Sequence, residues 1–415
     1  MDSDFCARWF QSKMSTLVAK PYVHILFGAR QTGKTSLLKN LISNSKLWYN
    51  LADPQERNRH ITDPATFIRE CRALPFKGEP LLVVIDEAQT APSIFDSIQV
   101  LYDTDKTRFR FVLCGSSARK LRTTGSNLLP GRSMMHHLYP LVLCERPATS
   151  SMTTDSLILP LTWEKNPSEP TFPATDIEER LAYGDLPGII CLPSEDRSDV
   201  LRSYANIYLE EEIRREANIR DWNAFINFLR LASTYSGEMV NYSAISREAG
   251  VSITTIKSHY QLLEDIFVGF SVPGFTGSTR KALLSTPKFY FIDLGLRHAA
   301  AGLVAGKNIV SANPGPLFEQ WVGLELWKRM HYLKEGKLSY FRAKSGMEID
   351  YIVEFREKII PVEVKWTKTP SVRDARHIGS FIDEIPQATH GFVVCRCPRP
   401  QLLKENVTAI PWWMI

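Results

Sequence analysis

Short apolar runs recur through the first third of the chain, separated by segments of helical periodicity. This alternation predicts a parallel α/β sheet. The expected strands are residues 22–27, 46–51, 81–85, 109–114 and 133–139, and their near-continuous aliphatic character suits strands covered on both faces. The pattern breaks at 147–175, where Ala148 to Asp155 and Asn166-Pro167-Ser168-Glu169-Pro170 concentrate Pro, Ser and Thr. A linker or surface insertion is expected there.

Helical patterning resumes at 177–181 and 199–217, interrupted by Tyr183-Gly184-Asp185-Leu186-Pro187-Gly188. Residues 222–270 read as all-helical, with helices at 242–249 and 252–264 around a Gly250-Val251 turn. Ser252 is the expected N-cap, and Ile253, Ile256, Tyr260 and Leu263 form one stripe expected to be buried. Thr255, Lys257, Ser258 and Gln261 fall on the opposite face. This layout serves a DNA-recognition helix or a winged-helix packing module equally well. Residues 240–281 hold four Lys or Arg against three acids, so no basic face decides between them.

From Lys288 onward the pattern returns to α/β. It predicts a helix at 317–330, strands at 338–342, 348–354 and 359–365, a helix at 372–382, and strands at 391–396 and 409–413. The resulting division is 1–146, 147–195, 196–284 and 285–415. A chain of 415 residues is too long for one core of ordinary size.

Composition adds little to this picture. Apolar residues make up 44% and charged residues 23%, as in ordinary globular protein, and a net charge of +5 permits polyanion contact without demanding it. The seven cysteines form no C-x-x-C pair, and most lie in apolar runs, so they read as reduced core thiols rather than zinc ligands. Neither a secretory signal nor a membrane span is expected, which predicts a cytoplasmic protein.

Two motifs carry chemistry. Residues 28–35 read G-A-R-Q-T-G-K-T, following an expected strand and opening an expected helix. In such a loop the backbone N–H groups of Gly28, Ala29, Arg30, Gln31, Thr32 and Gly33 wrap phosphates, Lys34 reaches the β and γ phosphates, and Thr35 offers its hydroxyl to Mg²⁺. Ser36 follows at the positive end of the helix. Asp86 and Glu87 end a strand about 50 residues later, where Asp86 can hold Mg²⁺ and Glu87 can orient water. ATP with Mg²⁺ is therefore the expected ligand.

The second motif is Asp350 followed by Glu363-Val364-Lys365. Alternate residues of a strand share a face, so Glu363 can bind a metal while Lys365 reaches a water or a phosphate. Asp350 and Glu363 would hold Mg²⁺ or Mn²⁺. Glu348 reads as a solvated edge residue.

Arg30-Gln31 within the loop, Asp86-Glu87-Ala88-Gln89, Cys114-Gly115-Ser116-Ser117 and Gly131-Arg132 before Leu138-Tyr139-Pro140-Leu141 resemble the archaeal and bacterial AAA+ ATPases that carry a C-terminal nuclease-like domain of long-unknown function. The resemblance implies a P-loop AAA+ core, a winged-helix middle domain and a restriction-endonuclease-like α/β domain of the PD-(D/E)xK type. It also implies that Ser116, in preference to Ser117, senses the γ-phosphate, that Arg132 is an arginine finger reaching a neighbour's ATP, and that Pro187 lies near the adenine. Glu319 on the preceding helix, with Glu325 as second candidate, would complete the C-terminal acid set. The implied protein is a ring-forming homo-oligomer such as a hexamer, acting on duplex or branched DNA in repair or genome defence. A nucleotide switch whose C-terminal domain binds without cutting is the competing expectation.

Overall fold

Five parallel strands build the first sheet: β1 (Val23–Phe27), β2 (Leu47–Asn50), β3 (Leu81–Asp86), β4 (Phe109–Gly115) and β5 (Ser133–His137). The computed structural model describes residues 6, 8–42, 45–117, 129–143, 145, 177–205, 210–217, 219–276, 285–343 and 345–415, and the insertion expected at 147–175 lies outside them. The chain divides into two units. The first comprises Met1–Tyr139 together with Glu212–Asn218 and Asp265–Phe267, and the second contains the rest.

In the first unit the strand order is β2-β3-β4-β1-β5, with every pairing parallel. All five β1 residues are buried, as are Val83, Ile85, Phe111 and Leu113. Val23, Ile25 and Phe27 of β1, with Val83, Ile85, Phe111 and Leu113, share one cluster with Phe67, Phe95, Ile98 and Leu101 from the helices Ala65–Ala73 and Ser93–Thr104. Phe267 packs against the same cluster and lies 5.7 Å, ring to ring, from Phe27. In such open sheets, ligand sites form beyond the carboxyl ends of the strands. Here the segments after β1, β3 and β4 emerge at that edge.

The second unit begins with small helices. Its middle part contains the helices Trp222–Thr234, Tyr242–Ala249 and Ile253–Asp265, followed by an antiparallel pair, β6 (Gly269–Val272) and β7 (Lys288–Phe291). β7 pairs with β6 across the expected 284/285 boundary. Asn241 and Ser252 cap two of the helices by accepting the N–H groups of Ala244 and Thr255 at 3.0 and 3.1 Å. Ile256, Tyr260 and Leu263 are buried as the stripe requires, but Ile253 is 42% exposed. It stands at the first position of its helix, where periodicity sets a direction without guaranteeing a neighbour.

The last sheet has six strands: β8 (Lys337–Arg342), β9 (Glu348–Phe355), β10 (Lys358–Val364), β11 (Gly391–Cys395), β12 (Gln401–Lys404) and β13 (Val407–Pro411). The order is β12-β13-β11-β10-β9-β8. β8, β9 and β10 form an antiparallel meander, while β10, β11 and β13 run parallel. The 20-residue helix Pro314–Leu333 precedes this sheet. The pattern gave no sign of β12, a strand with three of its four residues exposed. Among the described residues, no helix is long and apolar enough to cross a membrane.

Candidate functional sites

The phosphate loop links β1 to the helix Lys34–Leu41. Its path needs left-handed backbone, with φ of 60° at Gln31 and 86° at Gly33. Gly28 is required sterically, since a Cβ there would lie 2.2 Å from the Leu138 carbonyl oxygen. Thr32 Oγ1 closes the loop onto the Ala29 carbonyl at 2.8 Å. Lys34 is buried, and its ammonium donates to the carbonyls of Gly28 and Ala29 at 2.7 and 2.8 Å. Arg30 is half-buried and Ser36 is exposed on the first helical turn. Arg8 braces the loop, donating to the carbonyls of Thr32 and Tyr139, each at 2.6 Å. No local signal marks Arg8, whose partners lie 24 and 131 residues away.

At the end of β3, Asp86 Oδ2 accepts from Thr35 Oγ1 at 2.8 Å. Its Oδ1 accepts from the Glu87 N–H at 3.0 Å and from the Cys114 thiol. Burial, and then Asp86 itself, pushes the Cys114 thiol well above its usual range, so it remains an S–H donor. Thr35 and Asp86 thus converge on one point and fit an Mg²⁺ ion carried by a nucleotide. Glu87 has φ 55°, which turns its side chain out of the strand direction. Gln89 donates from Nε2 to Glu87 Oε2 at 2.6 Å and to Ser116 Oγ at 3.0 Å. Ser116 and Ser117 are both buried.

Arg132 lies elsewhere on the same sheet. Its carbonyl accepts from Val23 at the start of β1, whereas the phosphate loop follows Phe27 at the other end of that five-residue strand. At ~3.3 Å per residue the two ends are about 13 Å apart. The Arg132 guanidinium makes a two-pronged ion pair with Asp103, at 2.7 and 3.0 Å, which lowers the Asp103 pKa. Pro187 belongs to the second unit and heads the helix Pro187–Ile190. The preceding turn is anchored internally. Asp185 pairs with Arg180 and accepts from Trp321 Nε1 at 3.1 Å, and Gly184 has no room for a Cβ beside Asp293.

The C-terminal acids occupy adjoining elements. Asp350 and Glu363 lie on the antiparallel strands β9 and β10, where Tyr351 faces Val362. Asp350 Oδ2 accepts from the Val364 N–H at 2.8 Å, and Lys365 Nζ donates to Glu363 Oε1 at 2.7 Å. Burial raises the Asp350 carboxyl well above the carboxylate range, and the charges of Glu319 and Glu363 add to this against Lys365. Burial also raises Glu363, with Lys365 opposing it. Glu363 Oε2 is buried without a hydrogen-bond partner. Glu319 is held by Lys288 at 3.1 Å, and Glu348 lies 3.7 Å from the same ammonium, so Glu348 is not simply a solvated edge residue.

Sequence reasoning missed Lys288, a 5% exposed lysine on β7 whose only sign was its place at the head of an apolar run. It lines a cavity of about 800 Å³ together with Arg297, Glu319, Arg342 and Glu348. Glu325 does not belong to this group. It is fully buried, accepting from Arg329 at 2.5 and 2.8 Å and from the Leu143 N–H at 2.6 Å. Burial opposes its charge, but Arg329 and Lys328 hold it below the usual range. Among the described residues, no group of three or more His, Cys, Asp or Glu could hold a metal ion. The acid set offers at most the two carboxylates of Asp350 and Glu363.

Residues 20–146 match the family model described as AAA domain. The N-terminal module is a AAA-type ATPase domain. Residues 174–307 and 314–415 match two further models, each described as a domain of unknown function (DUF8612 and DUF4143). An uncharacterized protein of Mycobacterium tuberculosis is 26% identical over 94% of this chain and 80% of its own length. One from Haemophilus influenzae is 22% identical over 89% of this chain and 84% of its own length. Among solved structures, the Aeropyrum pernix ORC1 protein in complex with DNA is similar over 75% of this chain and 94% of its own, at 13% identity and a TM-score of 0.30. A signal-transduction ATPase with a tetratricopeptide repeat sensor from Pyrococcus horikoshii is similar over 78% of this chain and 48% of its own, at 14% identity and a TM-score of 0.28.

Proposed function

We propose that this protein hydrolyses ATP to act on DNA, with the first unit turning over ATP–Mg²⁺ and the second engaging DNA through a winged-helix-type module and a nuclease-type site. The convergence of Thr35 and Asp86 on one point beside Lys34, with Glu87 next in the chain, carries the reading. Thr35 and Asp86 would hold Mg²⁺, Lys34 would neutralise the phosphates, and Glu87 would orient the attacking water. Ser116 would read the γ-phosphate. Arg132 is too far from its own loop, so it would serve a neighbouring copy in a ring such as a hexamer.

In the second unit, the three helices followed by β6 and β7 support a winged-helix module. Asp350 and Glu363 on adjoining strands, Lys365 directly after the second of them and Glu319 on the preceding helix support a PD-(D/E)xK-type site. Two buried carboxylates repel each other, and Mg²⁺ or Mn²⁺ would relieve them while polarising a phosphodiester. Broken or branched DNA in repair or genome defence suits this combination.

A second reading is a nucleotide switch whose C-terminal domain binds without cutting. The ion pairs Lys288–Glu319 and Lys365–Glu363, which already engage two of the acids, favour it. One experiment separates the readings: cleavage of linear, forked and four-way DNA with Mg²⁺ or Mn²⁺, with and without ATP. The first reading expects nicking that Glu363→Ala and Lys365→Ala abolish. No nicking, or nicking unchanged in Glu363→Ala, removes it. In parallel, Lys34→Ala should lose ATP binding, whereas Glu87→Gln should bind ATP and fail to hydrolyse it.

A further inference from the structure

Gln89 stands two residues beyond Glu87, in the short turn Ala88–Thr90, and is 5% exposed. Its amide nitrogen spans the ends of β3 and β4, touching Glu87 on one and Ser116 just beyond the other. The amide oxygen is buried and accepts no hydrogen bond. An unmet buried acceptor is costly, so the two bonds made by the nitrogen dictate the orientation of the amide.

Gly115 makes that orientation possible. A Cβ on Gly115 would sit 2.4 Å from the Gln89 oxygen and 3.3 Å from its Cδ. On the other side, the left-handed backbone of Glu87 and its N–H bond to Asp86 Oδ1 fix where the carboxylate starts. Gln89 engages Glu87 Oε2, which leaves Oε1 for a water proton. Glycine, strained glutamate and buried amide together fix the aim of one carboxylate.

We propose that Gln89 is a positioning residue for ATP hydrolysis, a clamp that orients Glu87 and ties it to Ser116, so that γ-phosphate at Ser116 is communicated to the group that handles water. The proposal rests on the ATPase reading of this site. Gln89 would act only through Glu87 and Ser116.

Gln89→Leu keeps the shape of the side chain and removes both bonds. It should lower kcat about 10-fold or more, with KM for ATP and the Kd of a non-hydrolysable analogue within about twofold of the unaltered protein. Gly115→Ala approaches the clamp from the opposite side, because its methyl group must push the amide away. It should give the same loss, and Gly115→Ala combined with Gln89→Leu should lose no more than either alone. Binding of ADP–aluminium fluoride, which mimics the transferring phosphoryl group without turnover, should weaken in step with kcat in both single variants. Full kcat in Gln89→Leu overturns the clamp, as does an equal loss of ATP affinity or an additive double variant. Absence of both nucleotide binding and turnover in the unaltered protein would instead defeat the ATPase reading, and the clamp with it.

Discussion

At the scale of single residues, the buried His298 ties part of the second unit's stability to pH. His298 is fully buried, and its pKa is pushed down to about 4, mainly by burial and further by Arg297, against the Leu181 bond. Nε2 faces the Leu181 carbonyl at 2.8 Å, so it carries the proton and donates, while Nδ1 faces Arg297 Nη1 at 3.2 Å and accepts. A folded-state pKa below the unfolded value means that the unfolded chain binds more protons between pH 6.5 and 4. The stability contributed by His298 is therefore complete above pH 6.5 and declines as pH falls through this window, by roughly 3 kcal/mol at most. Buried Asp293, raised to about 6, acts in the opposite sense over this range, so the test is a difference: as pH drops from 6.5 to 4, the urea midpoint of the unaltered protein should fall relative to that of His298→Gln, which does not titrate. Such residues were illegible in the sequence because a histidine's partners, here 117 residues away for Leu181, follow from packing alone. Lys34, Thr35 and Asp86 were legible because phosphate and Mg²⁺ chemistry fixes their types and their order along the chain.

Elements were easier to read than their boundaries. Near-continuous apolar runs identified β1, β3 and β4, since a strand buried on both faces admits few polar residues. β12 escaped notice for the opposite reason: mostly exposed residues at the sheet edge leave no periodic trace. The turn between the helices Tyr242–Ala249 and Ile253–Asp265 was legible through Gly250, which caps the first of them with φ 72°. Nothing lies within 4 Å of where its Cβ would be, so Gly250→Ala should cost about 1 kcal/mol through backbone conformation alone. Chemical denaturation measures this, and a neutral result would show that the turn relaxes. The face opposite the stripe stayed ambiguous, because four basic residues against three acids do not distinguish a DNA-reading surface from a solvated one.

At the scale of the whole molecule, the placement of Arg132 predicts cooperation between copies. Arg132→Ala should bind ATP normally yet hydrolyse it at least about 10-fold more slowly. Mixing it with Lys34→Ala protein should restore part of the turnover, since each supplies the half-site the other lacks. Full activity of Arg132→Ala at every protein concentration would exclude a role in trans. The first unit has a further property: it is not one continuous stretch, for Phe267 packs beside Phe27 and His137 on the core beneath the phosphate loop. A polypeptide leaves the ribosome from its N-terminus onward, at about 5–20 residues per second. The nucleotide-binding unit therefore cannot finish folding when residue 146 emerges; it must wait, with that patch of core uncovered, for more than a hundred further residues to be synthesised.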